Sequence, residues 1–319
     1  MIAGYFANLT GQSGVALGIG DDAALLNVTP GQQLVMASDT LVAGVHFPET
    51  ASGHQVATRA LCVNLSDMAA MGANPRWFTL ALTLPRDKAN AEWLADFSAG
   101  LGDIAKQYDV ALVGGDTTSG PLTLTLTFVG EVPIGEALTR GGASQGDAVF
   151  VTGYLGDGAA ALELITSENS LYRNSDRLLQ RFYCPEPQIQ AGLKLRSIAS
   201  ACIDISDGLM ADLGHICKAS DVTAVIQTEQ LPIAAEILEL SPLDALEWAL
   251  CGGDDYQLCF TVAADQLAKV DALIELGELD ARRIGTINPA DQSINAVSVI
   301  DKNNTLLTVV KPGYNHFGH

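Results

Sequence analysis

The chain has 319 residues, 48% of them apolar, enough for one large or two medium domains with a real core. Its 37 acidic against 17 basic residues give a formal net charge of −20, a surface that repels nucleic acid and anionic lipid and argues against both as partners. No apolar run reaches the roughly 18 residues of a membrane span, the start MIAGYFANLTGQSG lacks the basic and apolar stretches of a signal peptide, and six scattered cysteines without a CxxC pair read as reduced core thiols of a cytoplasmic protein.

A short helical start leads into the glycine-rich turn GIGDD. Residues 33–39, QLVMASD, read as a strand ending at Asp39. From Gln55 to Met71 the spacing is helical, with Val56, Ala60, Val63 and Met71 available for one buried side. A strand over Phe78–Leu84, a helix over residues 90–107 and a strand over 110–116 follow, the last stopping at two glycines and Asp116. Residues 122–132, LTLTLTFVGEV, alternate Leu with Thr, the period of a strand with two unlike faces. Its apolar face is one that a lone chain would have to cover.

Pro133, Gly135, Gly141, Gly142 and Gly146 then mark a boundary, which divides the chain into residues 1–135 and 136–319. The second part opens with the strand DAVFVTG and the helix GAAALELI, and a helix is expected over 188–199 behind Pro185 and Pro187. CIDISDG reads as strand into turn, followed by a helix with Leu209, Leu213 and Ile216 on one face. WALCGGDDYQLCFTV comes later, and the tail KPGYNHFGH is too rich in glycine and aromatics for a helix. The mixture indicates an α/β (mixed α+β) protein with two lobes. LSD before GGD recurs as ISD before GGD, an echo that is too short for a repeat.

Six segments centre on aspartate beside small residues: GIGDD (Asp21, Asp22), ASDT (Asp39), NLSD (Asp67), GGDTT (Asp116), DISD (Asp204, Asp207) and GGDD (Asp254, Asp255). Taken singly, the GDD and GGD segments and Asp204 are each ordinary turn chemistry, Asp67 is a solvated side chain on a helix, and Asp207 is a helix N-cap. Six acids beside apolar strands are another matter, because buried carboxylates are costly without cations. Magnesium takes one or two carboxylates plus phosphate and water, and glycines let the backbone approach a ligand, so the set fits a site for two or more Mg²⁺ ions. A polyphosphate approaching so acidic a protein needs that bridge.

No GxxxxGK[ST] loop occurs, nor any HRD or DFG segment, so P-loop and protein-kinase machinery are excluded. The glycines of VTGYLGDG are better explained by tight strand-to-helix packing than by dinucleotide binding. His46 reads equally as a packed histidine or a ligand. Arg140 is either a surface charge or a fork for phosphate, and Tyr314 and Phe317 are either tail anchors or a stacking platform.

In this order GIGDDAALL, SDTLVAGVHF, ALCVNLSDMAAMGANP, VGGDTTSGP, LTRGGASQGD, VTGYLGDGAAAL, DISDGLMADLGHICKAS, CGGDDYQLCFTV and PGYNHF make the chain resemble the thiamine-monophosphate kinases, within the wider aminoimidazole ribonucleotide synthetase-like superfamily. The resemblance implies an N-terminal ATP/Mg-binding domain that builds a shared barrel in a homodimer. A C-terminal α/β domain would pack against it across the ATP cleft. It implies ATP and thiamine monophosphate as substrates and Mg²⁺ as cofactor. Carried over by motif, Asp22, Ser38, Asp39, Asp67, Asp116, Asp204 and Asp207 would hold magnesium. Tyr108, Gly115, Asp116, Arg140 and Ser206 would touch the nucleotide. His46, Asp254 and Tyr314 would contact thiamine phosphate.

Three departures stand out. Ala37 replaces a frequent hydroxyl, Val45 a frequent asparagine, and Asp254 is one methylene shorter than the usual glutamate. Since the acceptor is itself a phosphate with a second pKa near about 6, direct in-line transfer without a phospho-enzyme or an essential base is expected. The rival superfamily members are disfavoured. The first cysteine, Cys62, lies inside a helical run rather than near the N-terminus, and the chain ends FGH rather than in a reactive cysteine. A non-enzymatic acidic metal-binding protein would need D-x-[DN]-x-[DN]-G loops, and none is present.

Overall fold

The computed structural model describes residues 5, 6, 9, 14–166, 175–291, 296–309 and 313. Two compact units divide the chain, residues 1–68 with 73–135 and residues 69–72 with 136–319. The expected helical start falls mostly outside the described residues, as does Tyr314.

Among the described residues, the first unit contains β1 (Val15–Leu17), β2 (Leu25–Leu26), β3 (Gln32–Val42), α1 (Gly53–Ala70), β4 (Asn74–Leu84), α2 (Ala91–Gln107), β5 (Ala111–Ser119) and β6 (Thr123–Pro133). β1 and β2 pair as a ribbon, and the other four strands form one sheet in the order β3-β6-β4-β5. β4 and β5 are parallel, as two strands joined through a crossover helix must be, and the other pairs are antiparallel. Helix α1 is buried nearly all round, through Val56, Ala57, Ala60, Leu61, Leu65 and Met68.

The Leu/Thr alternation of β6 gives the two faces expected. Leu124, Leu126 and Phe128 are fully buried, however, so the chain covers this apolar face by itself and no second copy is needed for it. The opposite face carries the threonines. On β3 it also carries Leu34 and Met36, which are 53% and 73% exposed.

β3 and β5 do not stop at their aspartates. Asp39 pairs with Leu126, and the ladder continues through Thr40–Thr125 to Val42–Thr123. Asp116 pairs with Ala81, and β5 runs on to Ser119. Both are edge strands, where an acid costs little, and threonine partners such as Thr125 on Thr40 (Oγ1–Oγ1 2.9 Å) extend the ladder.

The second unit holds, among its described residues, β7 (Ala148–Thr152), α3 (Asp157–Thr166), α4 (Asp176–Tyr183), α5 (Ile189–Leu195), β8 (Ala199–Asp204), α6 (Leu209–Ser220), β9 (Val222–Gln227), α7 (Ala235–Leu240), α8 (Ala245–Cys251), β10 (Leu258–Val262), α9 (Leu267–Glu275), β11 (Ala281–Pro289), β12 (Val297–Ile300) and β13 (Leu306–Leu307). They build a sheet in the order β13-β12-β9-β11-β7-β10-β8, antiparallel except between β12 and β9. The helix expected over 188–199 is only Ile189–Leu195, because Ser197 turns left-handed (φ 58°) and the chain enters β8.

α6 lays Leu209, Leu213 and Ile216 into the core with Val149, Val151 and Ile203. Five of the six cysteines are buried, Cys184 is half-buried, and none is disulfide-bonded. Burial pushes the Cys217 thiol up to about 11 and that of Cys202 higher still, which makes them inert packing groups. No helix among the described residues is long and apolar enough to cross a membrane.

Candidate active site

In the first unit, strand alternation places Asp39 on the buried row of its sheet, beside Leu126. Asn64 and Asp67 stand three residues apart on α1 and therefore share one face. Asn64 accepts from the Asp39 amide (3.3 Å) and donates to the Ala60 carbonyl (2.9 Å), fixing the helix against the strand. Asp67 and Asp39 hydrogen-bond through their side chains. Burial raises the Asp39 carboxyl above its usual range, and the Asp67 bond and the field of His46 pull it back. Two carboxyls this close can share a proton or a cation.

His46 follows β3 in a tight loop. Its Nδ1 accepts from the Val42 amide (3.0 Å), so the proton of the neutral ring lies on Nε2. The Ser38 hydroxyl is on the opposite face from Asp39, where it donates to the Leu126 carbonyl (3.1 Å) and meets Thr127 Oγ1 (3.0 Å). The structure therefore does not bring this side chain to the Asp39–Asp67 pair.

A second acidic group borders β5. Asp21, Asp22, Gly114, Gly115 and Asp116 line a cavity of about 310 Å³. Asp21 accepts from the Asp22 amide and Asp116 from the Thr117 amide, each at 2.8 Å. Gly115 has φ 147°, and a Cβ there would collide with the Leu80 carbonyl, so only glycine allows this approach. β3 and β5 are the two edges of the sheet, so at ~4.8 Å per strand their backbones run about 14 Å apart. Tyr108 caps α2, its amide donating to the Ile104 carbonyl (3.0 Å).

In the second unit, ISDG and GGDDY run side by side. The Asp254 amide donates to Ser206 O (2.9 Å), the Tyr256 amide to Ile205 O (2.8 Å), and the Ile205 amide to Gln257 O (2.8 Å). Asp204, Ser206, Asp207 and Asp254 are thereby neighbours. Asp212, in the first turn of α6, accepts from the amides of Ser206, Asp207 and Gly208 through one oxygen (3.0, 3.0 and 3.1 Å). Burial, with Asp204 nearby, pushes its carboxyl up to about 7 against the amides of Asp207 and Ser206. Arg140 lies in a loop tied down by Ser220, whose hydroxyl accepts from Gly142 N (3.2 Å) and Ala143 N (3.1 Å) and donates to the Arg140 carbonyl (3.3 Å). Buried Asp157 is held by a bidentate pair with Arg177 (2.6 and 2.9 Å), which also grips Glu236.

Sequence reasoning missed Arg59, Asn64 and Asp212, and it counted Asp255 among the recurring acids without giving it a role. Helical spacing could have found two of them, since Asn64 precedes Asp67 by three and Asp212 follows Gly208 by four.

Among the described residues no three His, Cys, Asp or Glu side chains converge into a ready metal cage. Oxygen donors in pairs suit magnesium, which takes one or two carboxylates and completes its shell with phosphate and water. They do not suit zinc or calcium, which need fuller protein cages.

The two α/β units are those of the AIR synthase related class of proteins. The model of the AIR synthase related protein N-terminal domain matches residues 20–132, and that of the C-terminal domain residues 144–296. Thiamine-monophosphate kinase of Escherichia coli K12 is 44% identical over 321 aligned residues, 99% of this chain and 97% of that protein. The crystal structure of thiamine-monophosphate kinase from Stenotrophomonas maltophilia superposes with a TM-score of 0.82 at 46% identity, covering 90% of this chain and 92% of that one. AaThiL complexed with AMPPCP and TMP gives a TM-score of 0.77 at 31% identity, covering 94% and 92%. The chain belongs to the thiamine-monophosphate kinase family, and it is an enzyme, a kinase.

Proposed function

We propose that the chain transfers the γ-phosphoryl group of ATP to thiamine monophosphate, giving thiamine diphosphate and ADP. One observation carries this reading: a relative matched over 94% of the chain was solved with an ATP analogue and TMP. The carboxylate pairs are its chemical counterpart here. Asp39 and Asp67, Asp22 and Asp116, and Asp204 and Asp207 would hold Mg²⁺, which when bound neutralises phosphate charge. The main chain of Ser38 would lie beside that first pair.

Gly115, whose missing Cβ lets the Leu80 carbonyl pack against it, would offer its main chain to nucleotide phosphate beside Asp116. Tyr108, Arg140 and Ser206 are the other nucleotide contacts, and His46, Asp254 and Tyr314 are the contacts to thiamine monophosphate. The acceptor phosphate oxygen attacks in line, with no phospho-enzyme and no essential general base, because it is already largely ionised near pH 7.

The working form is a homodimer. Leu34 and Met36, exposed on the outer face of edge strand β3, are the apolar material for a shared barrel. Closing such a barrel would join sheet edges and bring the acids of β3 toward those of β5 from a second copy.

The test measures ADP release with Mg²⁺ and ATP, with and without thiamine monophosphate, and follows label from γ-³²P ATP. Label should appear in thiamine diphosphate and not on protein. ADP release indifferent to thiamine monophosphate would defeat the reading, and acid-stable or acyl-phosphate label on the protein would defeat the direct transfer.

A further inference from the structure

The GGDDY segment is stitched down on two sides. The amides of Asp254 and Tyr256 donate to the carbonyls of Ser206 and Ile205. Between them the Asp255 side chain runs the other way. Its Oδ2 accepts from the Gly156 amide (2.8 Å) and its Oδ1 from the Gly158 amide (3.1 Å), where α3 begins. Asp255 is 2% exposed, and the charged groups that act on it are Asp157 and Arg181. A carboxyl at this depth loses hydration that two neutral amides only partly replace.

In return it fixes geometry. Asp254 and Tyr256 both hold left-handed backbone (φ 68° and 51°), which residues with side chains keep only where the surroundings impose it. Gly158 sits so close that a Cβ there would stand 2.5 Å from the Asp254 carbonyl. The Tyr256 hydroxyl donates to Asp254 Oδ1 at 3.0 Å.

We infer that Asp255 and Tyr256 are positioning residues for Asp254. Asp255 clamps the segment onto the Gly156–Gly158 turn, and the Tyr256 phenol orients the Asp254 carboxylate, so that its negative charge meets a cationic aromatic acceptor in one fixed pose. This rests on the reading that Asp254 contacts thiamine monophosphate. It adds two residues that do not themselves touch substrate and explains why an acid is buried between two left-handed positions.

The experiment titrates thiamine monophosphate calorimetrically into the full-length protein and into Asp254→Ala, Asp255→Asn, Tyr256→Phe and the two doubles that combine Asp254→Ala with each of the others. AMPPCP titrations and thermal melts accompany each. Asp255→Asn should weaken thiamine monophosphate binding about tenfold and Tyr256→Phe about threefold, the loss of roughly one hydrogen bond each, with AMPPCP binding within about twofold. Each double should bind no worse than Asp254→Ala alone, because the partners act through that residue.

Additive doubles, or a lowered melting temperature with unchanged thiamine monophosphate affinity, would overturn the inference in favour of a purely structural clamp. Should Asp255→Asn fail to fold, Tyr256→Phe and its double decide by the same criteria. Normal binding by Asp254→Ala would instead remove Asp254 from the acceptor site. Weakened binding by Asp254→Ala, with normal binding by the other two singles, would remove only the positioning.

Discussion

Arg59, 2% exposed on α1, donates from Nε to the carbonyl oxygen of His46 at 2.8 Å. A side chain of the buried helix thus holds the main chain of the loop that presents a candidate substrate contact. Arg59→Met should preserve much of the packing while leaving that carbonyl without its donor, a loss of about 1–3 kcal/mol. The expected outcome is a KM for thiamine monophosphate raised severalfold with KM for ATP nearly unchanged, read from steady-state kinetics.

Asp39→Asn and Asp67→Asn should each lower kcat by about a hundredfold or more at modest Mg²⁺, because a neutral amide is a poor magnesium ligand. Burial already disfavours the Asp39 charge, so Asp39→Asn should leave the melting temperature equal or higher. Circular dichroism and differential scanning fluorimetry check the fold. Near-normal turnover in either variant sinks the metal assignment.

Asp212→Ala should be far more damaging than Asp212→Asn. Alanine strands three amides of the ISDG turn, each orphaned donor costing about 1–3 kcal/mol, whereas asparagine keeps an oxygen in place to accept them. Chemical denaturation of the two variants side by side tests the order, and equal destabilisation would show that the turn does not depend on this acceptor.

Burial pushes the Asp255 carboxyl up to about 8, with the amides of Gly156 and Gly158 opposing, Asp157 adding to the rise and Arg181 countering it. In the unfolded chain the same group titrates near about 4. Its contribution is therefore fully present below about pH 4 and is lost as pH rises toward about 8, a decline on the order of 1 kcal/mol or more. Melts of the ligand-free protein should show stability falling across that window, with a flatter profile in Asp255→Asn. An unchanged slope in that variant would assign the decline to other groups.

Met36→Lys places a charge on the exposed outer face of β3 without touching the buried row. Sedimentation velocity at micromolar concentration should show a dimer for the parent chain and a shift toward monomer for the variant. A parent chain that sediments as a stable monomer would contradict the shared barrel.

The sequence revealed whatever periodicity and local chemistry encode. The Leu/Thr alternation of β6 announced a two-faced strand, and the spacing of α1 announced a helix with one buried side, where the fold buries it nearly all round and leaves Met71 outside it. What it hid depends on partners distant in the chain. Asp39 and Asp116 looked like strand ends because acids usually stop strands, yet both sit on edges where β6 and β4 carry the ladder onward. Nothing local marks Ser197 as left-handed, so α5 looked four residues longer at its C-terminal end than it is. The recurring aspartates were legible as a set. Their grouping was not, because Asp39 meets Asp67 through a strand-to-helix contact and Asp254 meets Ser206 across some fifty residues of chain. Asp255 reads as one more acid in a turn, and only the fold reveals its bonds to Gly156 and Gly158.

The distribution of thiols makes the protein its own reporter of unfolding. With five sulfhydryls sealed in the interior and Cys184 alone half-buried, a maleimide dye should attach once to the native molecule and six times to the denatured one. Label stoichiometry, counted by intact mass, would then measure the open fraction in a crude preparation where no spectroscopic probe could be used. The same single attachment point, at the end of α4, offers a place to tether a fluorophore without engineering any cysteine in or out.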